Sequence, residues 1–218
     1  MADKVILKKV YLIRHGESLH NRRPIFQAND ARLSQTGLAQ AELIASRLRD
    51  TRLDSLISSP FLRAQQTSAI ISRAVNLPIV FSDLFVECLM PQSISGKAYQ
   101  DKTAYAAWQQ WQKRLYSQKD IKRDGESYNQ LLDRTEKALN YLQSLSGQNI
   151  AVVTHGFFLR TIIARVILGE TIKPKLLQKF QEQMQTHNTG VTILTMSKDL
   201  QNQISWDLAA FNDHSHLR

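Results

Sequence analysis

The stretch VILKKVYLIRHGES, residues 5–18, decides the fold class. From Val5 to Ile13 it is β-branched and aliphatic, with little polarity after its two lysines, as expected of a strand buried on both faces. The strand ends at Arg14-His15-Gly16. A second stretch, NIAVVTHG at residues 149–156, is the clearest parallel strand, and it runs into His155-Gly156. Both strands therefore end in a histidine followed by a glycine.

Strand and helix patterns alternate along the rest of the chain. Further strands are predicted at Leu53–Ser58 and Leu77–Phe81, with a pair at the sheet edge over Val191–Met196 and Ile204–Leu208. Helices are predicted from cap Thr36 to Leu48, from Ser59-Pro60 onward with Ser59 as cap, and over Thr103–Tyr116, Ser127–Leu145 and Phe157–Leu168. This order predicts an α/β fold: a single three-layer domain, a mostly parallel central sheet with helices on both faces, and an antiparallel edge strand.

The length favours one domain. The chain has 218 residues, long enough for one substantial core and not clearly for two, so residues 1–218 are expected to form one unit. The weakest element signals fall in Asp83–Asp124, which we interpret as an excursion over the face where the parallel strands end. No apolar run approaches the roughly 20 residues of a membrane span, and no export signal is recognised near the start.

Charge and cysteine content limit the class of protein. The formal net charge of +9 favours an anionic partner, although many of the basic residues are expected to be solvated surface. No run of five basic residues and no aromatic-and-basic RNA-recognition motif occurs, so no specific nucleic-acid partner is expected. The single cysteine, Cys88, excludes an internal disulfide and fits a reducing compartment, so the cytoplasm is the expected location.

The sequence contains no recognisable metal motif. His20, His187, His214 and His216 are not spaced like zinc ligands, and neither HExxH nor CxxC occurs. We therefore expect neither a metal ion nor a cofactor.

Three predicted strand ends indicate one site. Ligands of open α/β sheets bind beyond the carboxyl ends of the strands. Arg14-His15-Gly16, Ser59-Pro60 with Arg63, and His155-Gly156 all follow predicted strands, and helix N-termini there favour bound anions. Two histidines and two arginines gathered in this way form a pocket suited to a dianionic phosphoryl group.

These segments resemble the histidine phosphatase (phosphoglycerate-mutase-like) superfamily. Arg14–Ser18 with Asn21 is similar to its RHGE signature, the segment 59–67 to its S-x-x-x-R-A-x-x-T motif, and Thr154-His155-Gly156 to its second-histidine motif. The similarity extends to Gly125-Glu126-Ser127 followed by Arg134, and the matches occur in family order over most of the chain. Any one of these tripeptides would be weak evidence, but the ordered set is specific.

The resemblance implies a metal-independent phosphomonoester hydrolase that acts through a phosphohistidine. His15 is then the nucleophile, which must be neutral with Nε2 free. Arg14 and Arg63 would clamp the phosphoryl oxygens with forked hydrogen bonds. Further donors to the bound phosphate are expected from Asn21, His155 and the N–H of Gly156.

A general acid must protonate the leaving alkoxide and later activate water. The resemblance implies Glu87 for this role, because the family carries a glutamate in the segment after the third strand. Asp83 and Glu17 are the competing carboxylates. Glu17 belongs to the signature itself, so an orienting role is expected for it.

The sequence is also compatible with other functions. A phosphoglycerate mutase is disfavoured because residues 88–96 do not match the family's Tyr-Gly-x-Leu-x-Gly run, and the acid phosphatase branch because RHGxRxP is missing. A non-catalytic module that binds a phosphorylated ligand is a further alternative.

The substrate is expected to be a small phosphorylated molecule that contacts the 83–124 excursion. The Tyr99, Tyr105 and Trp108 side chains of this excursion suit a sugar, a nucleotide or a peptide equally. The sequence does not determine the oligomeric state.

Overall fold

The structure is a computed structural model that describes residues 4–117 and 124–218. Its strands are β1 (Val5–Arg14), β2 (Ser55–Ser58), β3 (Ile79–Phe81), β4 (Asn149–Thr154), β5 (Val191–Lys198) and β6 (Ile204–Asp213). They form one sheet in the order β3-β2-β4-β1-β5-β6. Neighbours from β3 to β1 pair in parallel, whereas β5 pairs antiparallel with both β1 and β6. The predicted mostly parallel sheet with an antiparallel edge is confirmed.

Helices cover both faces of this sheet. They are α1 (Gln35–Leu48), α2 (Leu62–Val75), α3 (Lys102–Leu115), α4 (Tyr128–Ser144), α5 (Gly156–Leu168) and α6 (Pro174–Gln183). Val10 and Leu12 of β1 pack in a buried cluster with α4 and α5, whereas Ile13 packs in a second cluster with α1 and α2. Successive strand residues point to opposite faces, so the apolar run at residues 10–13 of β1 has to be covered on both faces. The three-layer α/β prediction is confirmed.

The helix starts differ in part from the predicted ones. Ser34, not Thr36, caps α1, and its hydroxyl accepts a hydrogen bond from the Gly37 N–H. Ser59 and Pro60 form a turn before α2, which begins at Leu62 without a side-chain cap. Ser59 Oγ instead accepts from the Phe61 N–H within that turn. The predicted capping box at Ser127 is present on α4.

The segment 83–124 contains more regular structure than its pattern indicated. Two short 3-10 turns, Asp83–Phe85 and Gln92–Ile94, precede α3, and residues 118–123 of the predicted excursion lie outside the described residues. Helix α6 was not predicted from the sequence, although Pro174 stands in its first turn, a favoured position for proline. None of the helices in the described ranges is long and apolar enough to cross a membrane.

Candidate active site

The register of the sheet brings the three strand ends together. Arg14, the last residue of β1, pairs with Thr154, the last residue of β4, so His15 and His155 leave the sheet side by side. Ser58 at the end of β2 pairs with the next residue back in β4, Val153. The site therefore lies at the carboxyl edge of the parallel strands, where ligands of open α/β sheets bind.

The imidazole of His15 is buried and held in one tautomer. Its ring is 5.1 Å from that of His155, centroid to centroid, and the residue is 1% exposed. Nδ1 lies 2.7 Å from the carbonyl oxygen of Gly16, which can only accept, so the ring proton is on Nδ1. Nε2 then carries a lone pair, and Arg63 Nε donates to it at 3.1 Å.

Burial and neighbouring cations keep both imidazoles neutral. Burial lowers the pKa of His15 well below its usual value, and the charges of Arg63 and Arg14 lower it further. The pKa of His155 is lowered for the same leading reason, again with a contribution from Arg63. An unprotonated Nε2 is the form of histidine that can act as a nucleophile.

The two arginines reach the cluster from different elements. Arg63, in the first turn of α2, is 1% exposed, and its Nη1 donates to the Ala28 carbonyl at 2.9 Å. Burial lowers its pKa to about 10, so it is still charged at neutral pH. Arg14 donates through Nη1 to the Thr186 carbonyl, while its Nε is buried without a hydrogen-bond partner among the described residues.

Besides Arg14 Nε, two polar atoms of this cluster are buried without a partner among the described residues: His155 Nδ1 and Thr186 Oγ1. Nε2 of His155 lies 2.7 Å from Ser59 Oγ, so only Nδ1 is left to bond elsewhere. A Cβ added at Gly156 would lie 3.2 Å from Arg14 Nε and 3.3 Å from Thr186 Oγ1, so glycine is what lets these groups approach the start of α5. Buried polar atoms without partners are rare in proteins, and these are suited to the oxygens of an anion.

Glu87 lies at the N-terminus of α5. Its Oε1 accepts from the N–H groups of Cys88 and Phe158, both at 2.9 Å, and its Oε2 from the Phe157 N–H at 3.2 Å. Burial lowers the pKa of Arg14, Arg63 and Arg160, and the charge of Glu87 offsets part of this lowering for each guanidinium. The carboxylate therefore borders the cluster of arginines and histidines.

A buried ion pair holds the loop that carries Glu87. Arg134 of α4 binds both carboxylate oxygens of Glu126 at 2.8 Å, and these side chains are 13% and 5% exposed. The same guanidinium donates to the Leu84 and Val86 carbonyls and lies 3.9 Å from the Phe158 ring centroid. Gly125-Glu126-Ser127 starts a helix, as expected, but it also fixes the loop that carries Glu87.

The other candidate residues have different surroundings. Glu17 Oε1 accepts from the Ser34 hydroxyl at 2.6 Å, so this carboxylate supports the start of α1. Asp83 is exposed in the first 3-10 turn. Asn21 Oδ1 accepts from the Ser18 N–H at 2.9 Å, so its acceptor is occupied within its own loop. Asn188, in the loop before β5, donates to the His15 carbonyl at 2.9 Å.

Two cavities meet at Glu87. The first, about 920 Å³ and here named the polar cavity, has many charged residues in its wall. The second, about 570 Å³, is here named the aromatic cavity. Its rings are Phe26, Tyr99, Tyr105, Trp108, Trp111 and Phe157. Within the described part of the chain, no group of three or more His, Cys, Asp or Glu side chains is arranged to hold a metal ion.

Comparison with known proteins identifies the family of this chain. The family model described as histidine phosphatase superfamily (branch 1) matches residues 10–209. Proteins named "Probable phosphoglycerate mutase GpmB" from Yersinia pestis (strain Pestoides F) and Yersinia pseudotuberculosis are 31% identical over 167 residues, covering 73% of this chain and 74% of theirs.

Solved structures share the fold. The alpha-ribazole phosphatase from Shigella flexneri superposes with a TM-score of 0.75 at 22% identity, covering 94% of this chain and 96% of that one. A phosphoserine phosphatase variant from Entamoeba histolytica in complex with phosphoserine gives a TM-score of 0.73 at 24% identity, covering 97% of this chain and 100% of that one. On the family match over residues 10–209, the chain belongs to the histidine phosphatase superfamily, branch 1, and is an enzyme of the phosphatase class.

Proposed function

We propose that this enzyme hydrolyses phosphomonoesters without a metal ion, through a phosphohistidine on His15 with Glu87 as general acid and base. The observation that carries the proposal is the buried cluster around His15 Nε2. In it, Arg14 Nε, His155 Nδ1 and Thr186 Oγ1 have no hydrogen-bond partner among the described residues. The three equatorial oxygens of a transferring phosphoryl group would accept from such donors.

In the first step His15 Nε2 attacks phosphorus. The P–N bond forms as the bond from phosphorus to the ester oxygen breaks, and the carboxyl group of Glu87 gives its proton to the leaving alkoxide. In the second step a water molecule attacks phosphorus, Glu87 takes its proton, and the P–N bond breaks to release phosphate. Arg14 and Arg63 remain charged throughout and neutralise the oxygens that carry the developing negative charge.

Several residues would assist by position. The side-chain amide of Asn188 donates to the backbone carbonyl of His15 and so holds this residue in place. The Gly16 carbonyl accepts from Nδ1 and fixes the orientation of the His15 ring. His155 would donate from Nδ1, because its Nε2 is occupied by Ser59. The N–H of Gly156 at the start of α5 and the side-chain amide of Asn21 are proposed as weaker donors to the bound substrate. Residues 83–124 are proposed as the substrate-facing part of the single domain formed by residues 1–218.

A phosphoglycerate-mutase-type transfer is the second candidate, and the name of the 31% identical relatives favours it. Against it, residues 88–96 read CLMPQSISG and lack the run that the mutase resemblance requires. Water is therefore the proposed acceptor. The cytoplasm is the proposed compartment, since the one cysteine of the chain, Cys88, is buried as a free thiol.

The direct test measures inorganic phosphate released from a panel of alkyl phosphomonoesters in the presence of a chelator, beside the interconversion of the two phosphoglycerates. Release from the panel without interconversion is the expected result. Efficient interconversion with little release would establish the mutase instead, and dependence on an added metal would overturn the metal-independent route.

Glu87→Gln tests the general acid. We expect a fall in kcat of about 10²- to 10⁴-fold with an alkyl ester and a much smaller fall with an ester of a strongly acidic phenol, whose leaving group needs no proton. Glu17→Gln and Asp83→Asn are the matched controls, and neither should show this dependence on the leaving group. If Asp83→Asn shows it and Glu87→Gln does not, the role belongs to Asp83.

A further inference from the structure

One wall of the aromatic cavity consists of two loops that are joined by backbone hydrogen bonds. Residues Ile25 and Ala98 form an isolated antiparallel bridge, the Phe26 N–H donates to the Lys97 carbonyl, and the Tyr99 N–H to the Pro24 carbonyl, both at 2.8 Å. These bonds fix the two loops that carry Phe26 and Tyr99.

The rings of this wall also brace one another. Phe26 packs edge-on against Tyr99 with centroids 4.7 Å apart, and Trp108 lies 6.0 Å from Phe26 and 5.5 Å from Tyr105. Tyr99 and Tyr105 are nevertheless 48% and 42% exposed, which leaves apolar ring surface uncovered beside the cavity. A flat apolar group would bury this surface and gain the edge-to-face and stacked contacts that aromatic rings favour.

Three polar atoms of this wall are occupied by hydrogen bonds within the protein. Asn21 Oδ1 accepts from Ser18, Gln27 Nε2 donates to the Ser18 hydroxyl, and His20 Nδ1 accepts from the Ala28 N–H at 3.2 Å. A sugar would require several convergent donors and acceptors in addition to ring surface. The surface of the cavity is mainly apolar, so it fits a flat apolar group better than a polyol.

The position of the cavity identifies which part of a substrate it would hold. Glu87 lines both cavities, and the general acid has to lie at the oxygen that leaves. The polar cavity is lined by five carboxylates in addition to Glu87, of which Arg134 and Lys137 neutralise Glu126 and Asp133. Asp30, Asp83 and Asp124 face the same cavity, so Arg63 is the cation of its wall that is left to bind the phosphoryl group. The aromatic cavity does not include Arg63, so it would hold the other part of the substrate, the alcohol.

We infer that the aromatic cavity holds the alcohol part of the substrate and that this alcohol carries a planar aromatic ring. The inference rests on the proposed hydrolysis, because it identifies the leaving group by its place beside Glu87. At about 570 Å³ the cavity has the size of a small-molecule site.

The test compares three esters of primary alcohols, whose leaving groups have similar basicity: 2-(2-naphthyl)ethyl phosphate, n-butyl phosphate and glucose 6-phosphate. Hydrolysis is measured with the wild type, Tyr99→Ala, Tyr105→Ala and the control Phe81→Ala. Phe81 is 51% exposed on β3 and lines neither cavity. Binding of the same esters to His15→Ala, alone and combined with Tyr99→Ala, is measured by calorimetry.

The wild type should prefer the naphthyl ester over the butyl ester in kcat/KM by about tenfold or more, and each tyrosine variant should reduce this preference about two- to tenfold. Phe81→Ala should leave it unchanged. Equal turnover of the naphthyl and butyl esters, or a preference for the glucose ester, would overturn the inference and leave the proposed hydrolysis intact. If no ester is hydrolysed, the proposed function fails, and calorimetry then decides the specificity of the cavity: tighter binding of the naphthyl ester that depends on Tyr99 supports it, and its absence refutes it.

Discussion

Nε of Arg63 donates a hydrogen bond to Nε2 of His15 across 3.1 Å. This contact directs a fixed cation at the lone pair of the proposed nucleophile, while the Gly16 carbonyl holds the opposite side of the ring. The same guanidinium lowers the pKa of His15. In a complex with substrate, phosphoryl oxygens would replace the imidazole as the acceptor for Arg63, which frees Nε2 as the phosphate arrives.

Arg63→Met should therefore have two effects. The pKa of His15 should rise, because the variant removes the nearby positive charge and keeps much of the side-chain volume. The value of kcat should fall about 10²- to 10³-fold, as when one transition-state donor is removed. NMR titration of the histidine ring and steady-state kinetics measure these quantities. An unchanged pKa of His15 would contradict the proposed electrostatic role of Arg63.

Stability should depend on pH through the two buried histidines. Their pKa values in the folded protein lie below the ordinary value of 6.5, so the unfolded chain binds more protons once the pH falls under that value. The free energy of unfolding should thus be largest above pH 6.5. Below it, each histidine should contribute a loss of up to about 1.4 kcal/mol per pH unit until its folded pKa is reached. His15→Asn and His155→Asn should each flatten this decline in urea unfolding between pH 7 and pH 5, and slopes equal to that of the wild type would refute the assignment.

Gly156→Ala should disturb the position of Arg14 and Thr186 without unfolding the protein. The added methyl group would lie 3.2 Å from Arg14 Nε and 3.3 Å from Thr186 Oγ1, so these groups must move by a few tenths of an ångström. Alanine is the better residue within a helix, so the melting temperature should stay close to that of the wild type. The affinity for inorganic phosphate or vanadate should fall about tenfold, since small misplacements of a binding group are costly. Wild-type affinity would show that Arg14 does not contact the anion.

Arg134→Met should loosen the loop that carries Glu87. Removal of one partner of a buried ion pair destabilises a protein by about 3–5 kcal/mol. The change also removes the hydrogen bonds to the Leu84 and Val86 carbonyls, which position the loop before Glu87. The value of kcat should therefore fall by a larger factor than the fraction of folded protein. Lys137→Met is the control, because its ion pair with Asp133 is exposed and should contribute less than about 1 kcal/mol. Equal effects of the two changes on urea unfolding would contradict the structural role of Arg134.

The sequence predicted the elements whose apolar pattern is continuous. The central runs 10–13 of β1 and 150–153 of β4 are covered on both faces, so these positions had to be apolar, and the polar residues after them marked the site. α6 was not predicted, because its buried face consists of Pro174, Leu177 and the polar Gln181. Ser34 and Thr36 are both good caps by residue type, and the choice between them depends on the contact of Ser34 with Glu17, which only the folded chain shows.

The sequence was enough to predict that the motif residues at the strand ends lie together. It was not enough to predict which other residues hold them in place. Asn188 and Thr186 contact the site from the loop before β5, far along the chain from His15, and no spacing encodes that approach. The Glu126–Arg134 pair matched a motif, yet its effect depends on where the 84–89 loop lies. The aromatic cavity likewise requires two distant segments, around residues 25 and 98, to pair.

The most direct measurement is rapid quenching during turnover of an alkyl phosphomonoester, followed by mass spectrometry of the protein under alkaline conditions that preserve phosphohistidine. A single phosphoryl group on His15, formed at a rate no slower than kcat and absent from His15→Ala, is the predicted result. Turnover without any phosphoprotein, a phosphoryl group on another residue, or near wild-type activity in His15→Ala would contradict the covalent mechanism.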